Sequence, residues 1–158
     1  VPQEGASEPG ELWVKGPNVV AAYWNMPEAT AECFGDGWYR TGDIGTLADV
    51  GWLRITDRLK EMIKVRGFQV APAEVESVLY THPAVTDCAV FGIPDGTNGE
   101  AVVAAVRSAG DVAEDELIAL VAQRLSSYKK PRRVVFVDEI PRLPSGKVLR
   151  RVLRERYS

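Results

Sequence analysis

The sequence predicts an α+β fold, in which a β-rich N-terminal part precedes a C-terminal part with a small mixed sheet flanked by helices. Up to about Asp57, short apolar stretches alternate with glycine turns, a pattern typical of strands. Beyond that point, two apolar stretches flank Arg66-Gly67, which indicates a tight β-hairpin. The later segments alternate between apolar residues at helical spacing and short continuous apolar runs. We therefore expect two parts, residues 1–57 and residues 58–158.

The composition is ordinary for a globular chain. Hydrophobic residues make up 46% and charged residues 26% of the 158 residues, and no run of about 18 apolar residues is present. The first residues contain no secretion leader, and Cys33 and Cys88 are far apart beside a single histidine, His82. We expect reduced thiols, no metal site and a cytoplasmic location.

The C-terminal stretch is basic. Residues 129–156 contain ten of the nineteen lysines and arginines but only three acidic residues. Such a stretch is typical of a surface that binds an anion, either nucleic acid or a nucleotide-like ligand. Only two aromatic residues, Phe136 and Tyr157, accompany the charges, and no nucleic-acid motif is present. A nucleotide-like ligand is therefore the favoured partner, and nucleic acid the alternative.

In the N-terminal part, strands are expected at 11–14, 19–22, 44–47 and 52–55. The tryptophans at 24, 38 and 52 are expected to serve core or barrel packing rather than a substrate pocket. In the C-terminal part, the hairpin strands are expected at 62–65 and 68–71, and further strands at 88–93, 101–107 and 134–137. Pro72 is expected to open a helix over 73–80, a capping-box-like start at 111–114 a second helix, and an amphipathic helix is expected at 148–157.

Long polar side chains surround the hairpin turn: Arg58, Lys60, Lys64, Arg66 and Gln69. A structural hairpin would usually have one apolar face and one mixed polar face. The cluster is therefore either a binding site or ordinary solvated charge, and the hairpin sequence alone does not decide between them.

Three motifs in order resemble those of the adenylate-forming enzymes. They are Tyr39-Arg40-Thr41-Gly42-Asp43, the stretch TDRLKEMIKVRGFQVAPAEVE at 56–76, and Pro144-Ser145-Gly146-Lys147. The likeness runs from about Gly10 to Arg156 and is nearest to CoA ligases of the 4-coumarate and fatty-acid type. It implies a helix at 25–34 and makes residues 1–57 the β-rich remnant of a large N-terminal domain, followed by a mobile C-terminal domain.

The resemblance implies an ATP-dependent, AMP-forming acyl- or aryl-CoA ligase of the kind found in fatty acid metabolism. Such an enzyme first joins a carboxylic acid to AMP and then transfers the acyl group to the thiol of CoA. Asp43 matches the residue that accepts hydrogen bonds from both ribose hydroxyls, and Arg58 one that contacts the nucleotide nearby. Lys60 matches the hinge residue.

The remaining matches divide between the two half-reactions. Lys147 matches the lysine that bridges the carboxylate and the α-phosphate during adenylation, and its acetylation by a lysine acetyltransferase would remove the required charge. Lys64 and Gln69 match positions near AMP and the reacting carbonyl during thioester formation. Arg66 and Gly67 match the pair beside the CoA arm, where a side chain at Gly67 would narrow the path and strain the turn.

The phosphate loop, the Mg²⁺ ligands and the acyl pocket of such enzymes have no counterpart in these residues. We therefore expect an incomplete fragment that is inactive alone. Other interpretations remain open: an adenylation domain that passes the acyl group to a carrier protein, a luciferase-like enzyme, or a non-catalytic binding or interaction module.

Overall fold

The computed structural model describes residues 6–158, and the chain divides into two compact units, one ending at Lys60 and the other beginning at Glu61. Both contain helices and strands in the described residues, so the α+β fold class is confirmed. The division into domains at residue 57 stays a prediction. No helix within residues 6–158 has the length and apolar character needed to cross a membrane.

The first unit is built on one long central strand. β3 (Trp38–Leu47) pairs antiparallel with β1 (Gly10–Val14), with β2 (Phe34–Gly35) and with β4 (Leu53–Arg58). Gly42 adopts a φ of +70° inside β3, and the strand continues through this position. One helix, α1 (Pro27–Cys33), precedes β2.

Three sequence-based expectations for this unit are wrong. Residues 19–22 form no strand, because the Val19 amide donates to the Gly16 carbonyl in a turn at 3.1 Å. The helix is shorter than 25–34, because Asn25 has a φ of +52° and residue 34 already belongs to β2. Trp24 and Trp52 do not pack in a core of the described residues, since they are 88% and 77% exposed, and Trp38 is also exposed.

The second unit contains a hairpin, a three-stranded sheet and three helices. The hairpin strands are β5 (Ile63–Val65) and β6 (Phe68–Val70), and α2 (Pro72–Leu79) follows, opening at Pro72 as expected. The order in the sheet is β7 (Val85–Pro94), β8 (Glu100–Ser108) and β9 (Arg133–Phe136). β7 and β8 are antiparallel whereas β8 and β9 are parallel, which confirms the mixed sheet.

Helices cover both faces of this sheet. α2 and α3 (Glu114–Arg124) pack on one face, where Leu79 and Leu117 are fully buried. α4 (Arg150–Tyr157) packs on the other face through Leu153, which is also fully buried. β8 alternates between the two clusters, with Val102 in one and Val103 in the other, as the two-residue period of a strand requires.

The start of α3 differs from the expected capping box. The N-cap residue is Ala113, and no side chain caps the helix there. The Glu114 carboxylate instead accepts a hydrogen bond from the Val134 amide of β9 at 2.7 Å. A hydrogen bond between α3 and β9 is therefore formed in place of the expected side-chain cap.

Candidate functional site

In the first unit, the structure brings Asp43 and Arg58 together. They are register partners on β3 and β4, and the Arg58 Nε lies 2.9 Å from the Asp43 Oδ1. Asp43 is mostly buried, with 18% of its side chain exposed, whereas Arg58 is 58% exposed. Thr41 fixes the backbone at this point of β3, because its hydroxyl accepts from the Asp43 amide and donates to the Leu12 carbonyl. Asp43 therefore presents a positioned carboxylate with lone pairs left for further donors.

A cavity of about 400 Å³ lies beside this pair, within the first unit. Its lining includes Gly42, Arg58 and Lys60 together with Tyr23 and Tyr39. The two tyrosine hydroxyls are 3.1 Å apart, and this hydrogen bond is the main reason why the pKa of Tyr23 rises to about 12. The Tyr23 hydroxyl therefore stays neutral at physiological pH. The cavity is in the size range of small-molecule sites.

The hairpin of the second unit turns through two residues with positive φ. Arg66 has a φ of +50° and Gly67 a φ of +86°, the combination required by a two-residue type I′ turn. Asn98 holds Arg66 by accepting from its backbone amide at 2.8 Å and from its Nε at 3.1 Å. The sequence indicated the glycine, but the left-handed conformation of Arg66 was missed. A two-residue loop that needs φ above zero at both positions is the signal that predicts it.

Lys64 and Gln69 lie directly opposite each other on this hairpin. They are register partners, so their side chains share one face of the two-stranded sheet, and both are exposed. The neighbouring pair, Ile63 and Val70, is fully buried in the core. The hairpin is therefore rooted in the unit while it presents a cation and an amide side by side.

Lys147 lies in a closed loop of the same unit, residues 141–149, which we call the lysine loop. The Leu143 amide donates to the Lys147 carbonyl, and the Gly146 amide donates to the Leu143 carbonyl, both at 2.8 Å. Gly146 has a φ of +84°, which allows the sharp bend. Lys147 is exposed, and its ammonium has no hydrogen-bond or ion-pair partner among residues 6–158. It is available to a ligand.

The predicted residues thus fall into three groups. Asp43 and Arg58 are paired in the first unit, which ends at the exposed Lys60 in a short 3₁₀ turn. The hairpin residues form the second group. Lys147 stands apart from them, since no hydrogen bond or strand pairing within residues 6–158 joins the lysine loop to the hairpin.

The sequence analysis missed the residues that hold the lysine loop. Arg142 donates to the Gly146 carbonyl at 3.0 Å and to the Asp87 carboxylate at 2.6 Å. Burial acts to raise the pKa of Asp87, but hydrogen bonds from Tyr80 and Arg142 outweigh it and lower the pKa below its usual value. Burial, helped by the bond to Asp87, raises the pKa of Tyr80 to about 12. An arginine before a Gly-Lys loop was the only sequence signal.

Comparison with known proteins identifies the domain. Residues 74–147 match the AMP-binding enzyme C-terminal domain. Over 150 residues the chain is 47% identical to a long-chain-fatty-acid–CoA ligase, FadD13, of Mycobacterium tuberculosis, covering 94% of this chain and 30% of the relative. It is 48% identical to 4-coumarate–CoA ligase-like 9 of Oryza sativa subsp. japonica, covering 96% of this chain and 28% of the relative.

Solved structures agree. ATP-bound MatB from Rhodopseudomonas palustris matches with a TM-score of 0.89 and 36% identity, covering 97% of this chain and 34% of that one. The chain thus spans about 30% of the length of the curated relatives given above. It belongs to the adenylate-forming superfamily, and it corresponds to the C-terminal part of such an enzyme.

Proposed function

We propose that this chain is the C-terminal part of an ATP-dependent, AMP-forming acyl- or aryl-CoA ligase. A carboxylate is a poor acyl donor, because its leaving group would be an oxide or hydroxide ion. Attack of the carboxylate oxygen on the α-phosphate of ATP releases pyrophosphate and makes AMP the leaving group. The CoA thiol, after losing its proton, then displaces AMP from the acyl carbon to give the thioester.

One observation carries this proposal. Lys147 presents an ammonium with no protein partner in the described structure, on a loop that is closed by its own backbone hydrogen bonds. A cation held in this way stabilises charge that develops between the carboxylate and the α-phosphate. Asp43 accepts from the ribose diol, for which a two-oxygen carboxylate is suited, and Arg58 supports the nucleotide from the same strand pair.

The hairpin is assigned to thioester formation. Lys64 and Gln69 share one face, so an ammonium and an amide can together contact AMP and the reacting carbonyl. Arg66 offers a guanidinium to the phosphates of CoA, and the bare backbone at Gly67 leaves room for the pantetheine arm. Lys60 serves as the hinge between a β-rich part, residues 1–57, and a mobile α+β domain, residues 58–158, that alternates between the two half-reactions.

Mg²⁺ would neutralise the phosphates of ATP, but the residues described here do not fit a site for it. No group of three or more histidine, cysteine, aspartate or glutamate side chains within residues 6–158 could hold a metal ion. We therefore assign its ligands to other parts of the full-length protein and expect the 158 residues alone to be inactive. We also propose a cytoplasmic location, and acetylation of Lys147 as a means of control, because it would remove the charge that adenylation needs.

The test uses the full-length natural polypeptide that contains these residues, with a panel of fatty and aryl acids. We expect AMP and thioester formation that depends on CoA. Lys147→Ala should slow acid-dependent exchange of pyrophosphate into ATP by about 10²–10³-fold, while supplied acyl-adenylate is still converted to thioester. Lys64→Ala should slow the second step instead. Lys130→Ala, another exposed lysine of the second unit, is the matched control.

Two outcomes would refute the proposal. Release of AMP without thioester would mean that the second substrate is a carrier protein, an amine or oxygen rather than CoA. No acid-dependent consumption of ATP with any acid would leave a binding module, and a steep salt dependence of duplex binding would then favour nucleic acid as the partner.

A further inference from the structure

The lysine loop is fixed to the rest of the second unit at both ends. At its start, Arg142 binds the Asp87 carboxylate of β7 at 2.6 Å. Just after its end, Arg150 opens α4, three residues beyond Lys147. The loop itself is closed across its base, because the Leu149 amide donates to the Pro141 carbonyl at 2.8 Å. A displacement of either arginine therefore moves the backbone that presents Lys147.

Arg150 makes more hydrogen bonds to the rest of the unit than Arg142 does. Its Nε donates to the Val90 carbonyl of β7 at 2.9 Å, and its Nη2 donates to the Glu76 carboxylate of α2 at 2.8 Å. Its Nη1 donates to the Glu61 carboxylate. All three side chains are largely buried, with exposed fractions of 18% for Arg150, 22% for Glu61 and 15% for Glu76. A fork of donors in fixed geometry suits three acceptors in different directions.

Glu61 connects this cluster to the start of the second unit. It is the first residue of the second unit and directly follows Lys60. Through Arg150, one guanidinium thus joins the point where the chain enters the unit to the base of the lysine loop, although 89 residues separate them along the chain. Any rotation of the unit about Lys60 would then move Glu61 and the lysine loop together.

We propose that Arg150 is a positioning residue for Lys147, and that Glu61 and Glu76 hold it in place. The inference rests on the proposed function, in which Lys147 acts during adenylation. Arg150 contacts no substrate; it fixes where the ammonium of Lys147 is delivered. The hairpin that carries Lys64 is rooted separately through Ile63 and Val70, so thioester formation does not depend on Arg150.

The first test is kinetic and uses the full-length polypeptide. Arg150→Met should lower the rate constant of adenylation about 10- to 100-fold, because a displacement of about 1 Å of a catalytic group costs up to 10²-fold. The KM for ATP and the conversion of supplied acyl-adenylate should change less than about 3-fold. Arg150→Lys, which keeps one charged contact, should recover part of the loss. Arg151→Met is the matched control, because Arg151 is the next residue, is 83% exposed and pairs only with Glu155 in the described structure.

The second test does not require activity. Trypsin cleavage after Lys147 in the 158-residue chain should be at least about 10-fold faster in Arg150→Met than in wild type, whereas Arg151→Met should cleave at the wild-type rate. Glu61→Gln, which keeps the shape of the side chain, should accelerate cleavage in the same direction and serves if Arg150→Met does not fold. Unchanged cleavage in these variants overturns the inference.

The two proposals fail separately. A wild-type protein without adenylation activity, but with the expected change in cleavage, would overturn the proposed function and leave only the loop anchor. Adenylation that is lost in Lys147→Ala and normal in a folded Arg150→Met would overturn the positioning role alone. Equal losses in both half-reactions of Arg150→Met would also overturn it, since a general structural defect gives that result.

Discussion

Gly67 and Gly99 provide a direct test of how the hairpin is built. Both have left-handed backbones, with φ values of +86° and +81°, so alanine is strained at either position. Their surroundings differ. A Cβ at Gly67 would meet no atom within 4 Å, whereas a Cβ at Gly99 would lie 2.6 Å from the backbone oxygen of Lys64. The pair separates conformational strain from steric collision.

The expected magnitudes follow from this difference. Gly67→Ala should destabilise the second unit by about 1–2 kcal/mol, the cost of a left-handed conformation for a residue with a Cβ. Gly99 combines its positive φ with a ψ of −97°, so alanine there costs at least as much in conformation. It must also push the β5 backbone away, which adds about 1–3 kcal/mol. For a unit of this size, each kcal/mol lowers the melting temperature by about 4–8 °C. The shift for Gly99→Ala should therefore be about twice that for Gly67→Ala.

The distribution of tryptophan makes the assay specific. All four tryptophans, at positions 13, 24, 38 and 52, belong to the first unit. Their fluorescence reports on that unit, while hydrogen exchange of the β7 and β8 amides reports on the second. Both variants should change the exchange and leave the fluorescence transition in urea at its wild-type midpoint.

Equal destabilisation by the two substitutions would refute this reasoning, because it would mean that the collision with Lys64 is relieved at no cost. The proposed function gives a second comparison in the full-length protein. Gly99→Ala moves the strand that carries Lys64 and should slow thioester formation even where the protein stays folded, with less effect on adenylation.

Three further predictions concern single side chains of the chain. Because its pKa is lowered in the folded state, ionised Asp87 stabilises the second unit above about pH 4 and this contribution is lost as the pH falls further. Asp87→Asn should thus cost about 1–2 kcal/mol at pH 7 and progressively less in urea titrations at lower pH; a constant difference would contradict this. Glu114→Ala should lower the free energy of unfolding by about 1–3 kcal/mol, because it leaves a β9 amide unpaired. Asp111→Ala, at the predicted cap that is not formed, should change it by less than about 0.5 kcal/mol in the same titration. Burial is the main reason why the pKa of Cys88 rises to about 12, so mass spectrometry should find it alkylated by iodoacetamide at pH 8 at least about 10-fold more slowly than Cys33; equal rates would refute its burial.

Local patterns predicted those elements whose cause is local. The hairpin followed from Arg66-Gly67 between apolar stretches, and the start of α2 followed from Pro72, since both depend on neighbouring residues. The strand predicted at 19–22 does not form, because an apolar run becomes a strand only when a partner strand is available. The predicted capping box does not form, because the Glu114 carboxylate accepts a hydrogen bond from the Val134 amide of β9 instead.

The same distinction holds for the candidate site. Lys64 and Gln69 lie opposite each other because a two-residue turn joins their strands. This pairing depends only on neighbouring residues, so it can be deduced from the sequence. The network around Arg150 joins segments near residues 61, 76, 90 and 150, and only the fold brings them together. Sequence reasoning found the residues that match a motif and missed those that hold them. The roles of the former stay predictions.

The outer edge of β7 shows how side chains can replace a strand. The Val90 amide donates to the Glu76 carboxylate at 2.8 Å, and the Val90 carbonyl accepts from Arg150 at 2.9 Å. Two residues further, the Gly92 carbonyl accepts from Arg154 Nε at 2.8 Å. An edge strand with unpaired backbone groups invites pairing with another chain. Here α2 and α4 satisfy those groups, so the sheet ends at β7.

This use of arginine changes the meaning of the basic C-terminal stretch. Seven of its ten cations bind protein groups in the described structure, among them Arg150 and Arg154 at the edge of β7. Lys130, Lys147 and Arg156 have no such partner within residues 6–158. The density of charge therefore reflects the internal structure more than an anionic ligand, and nucleic-acid binding loses its main support. Of these three, Lys147 lies on the loop that is closed by its own backbone hydrogen bonds, which supports the role proposed for it.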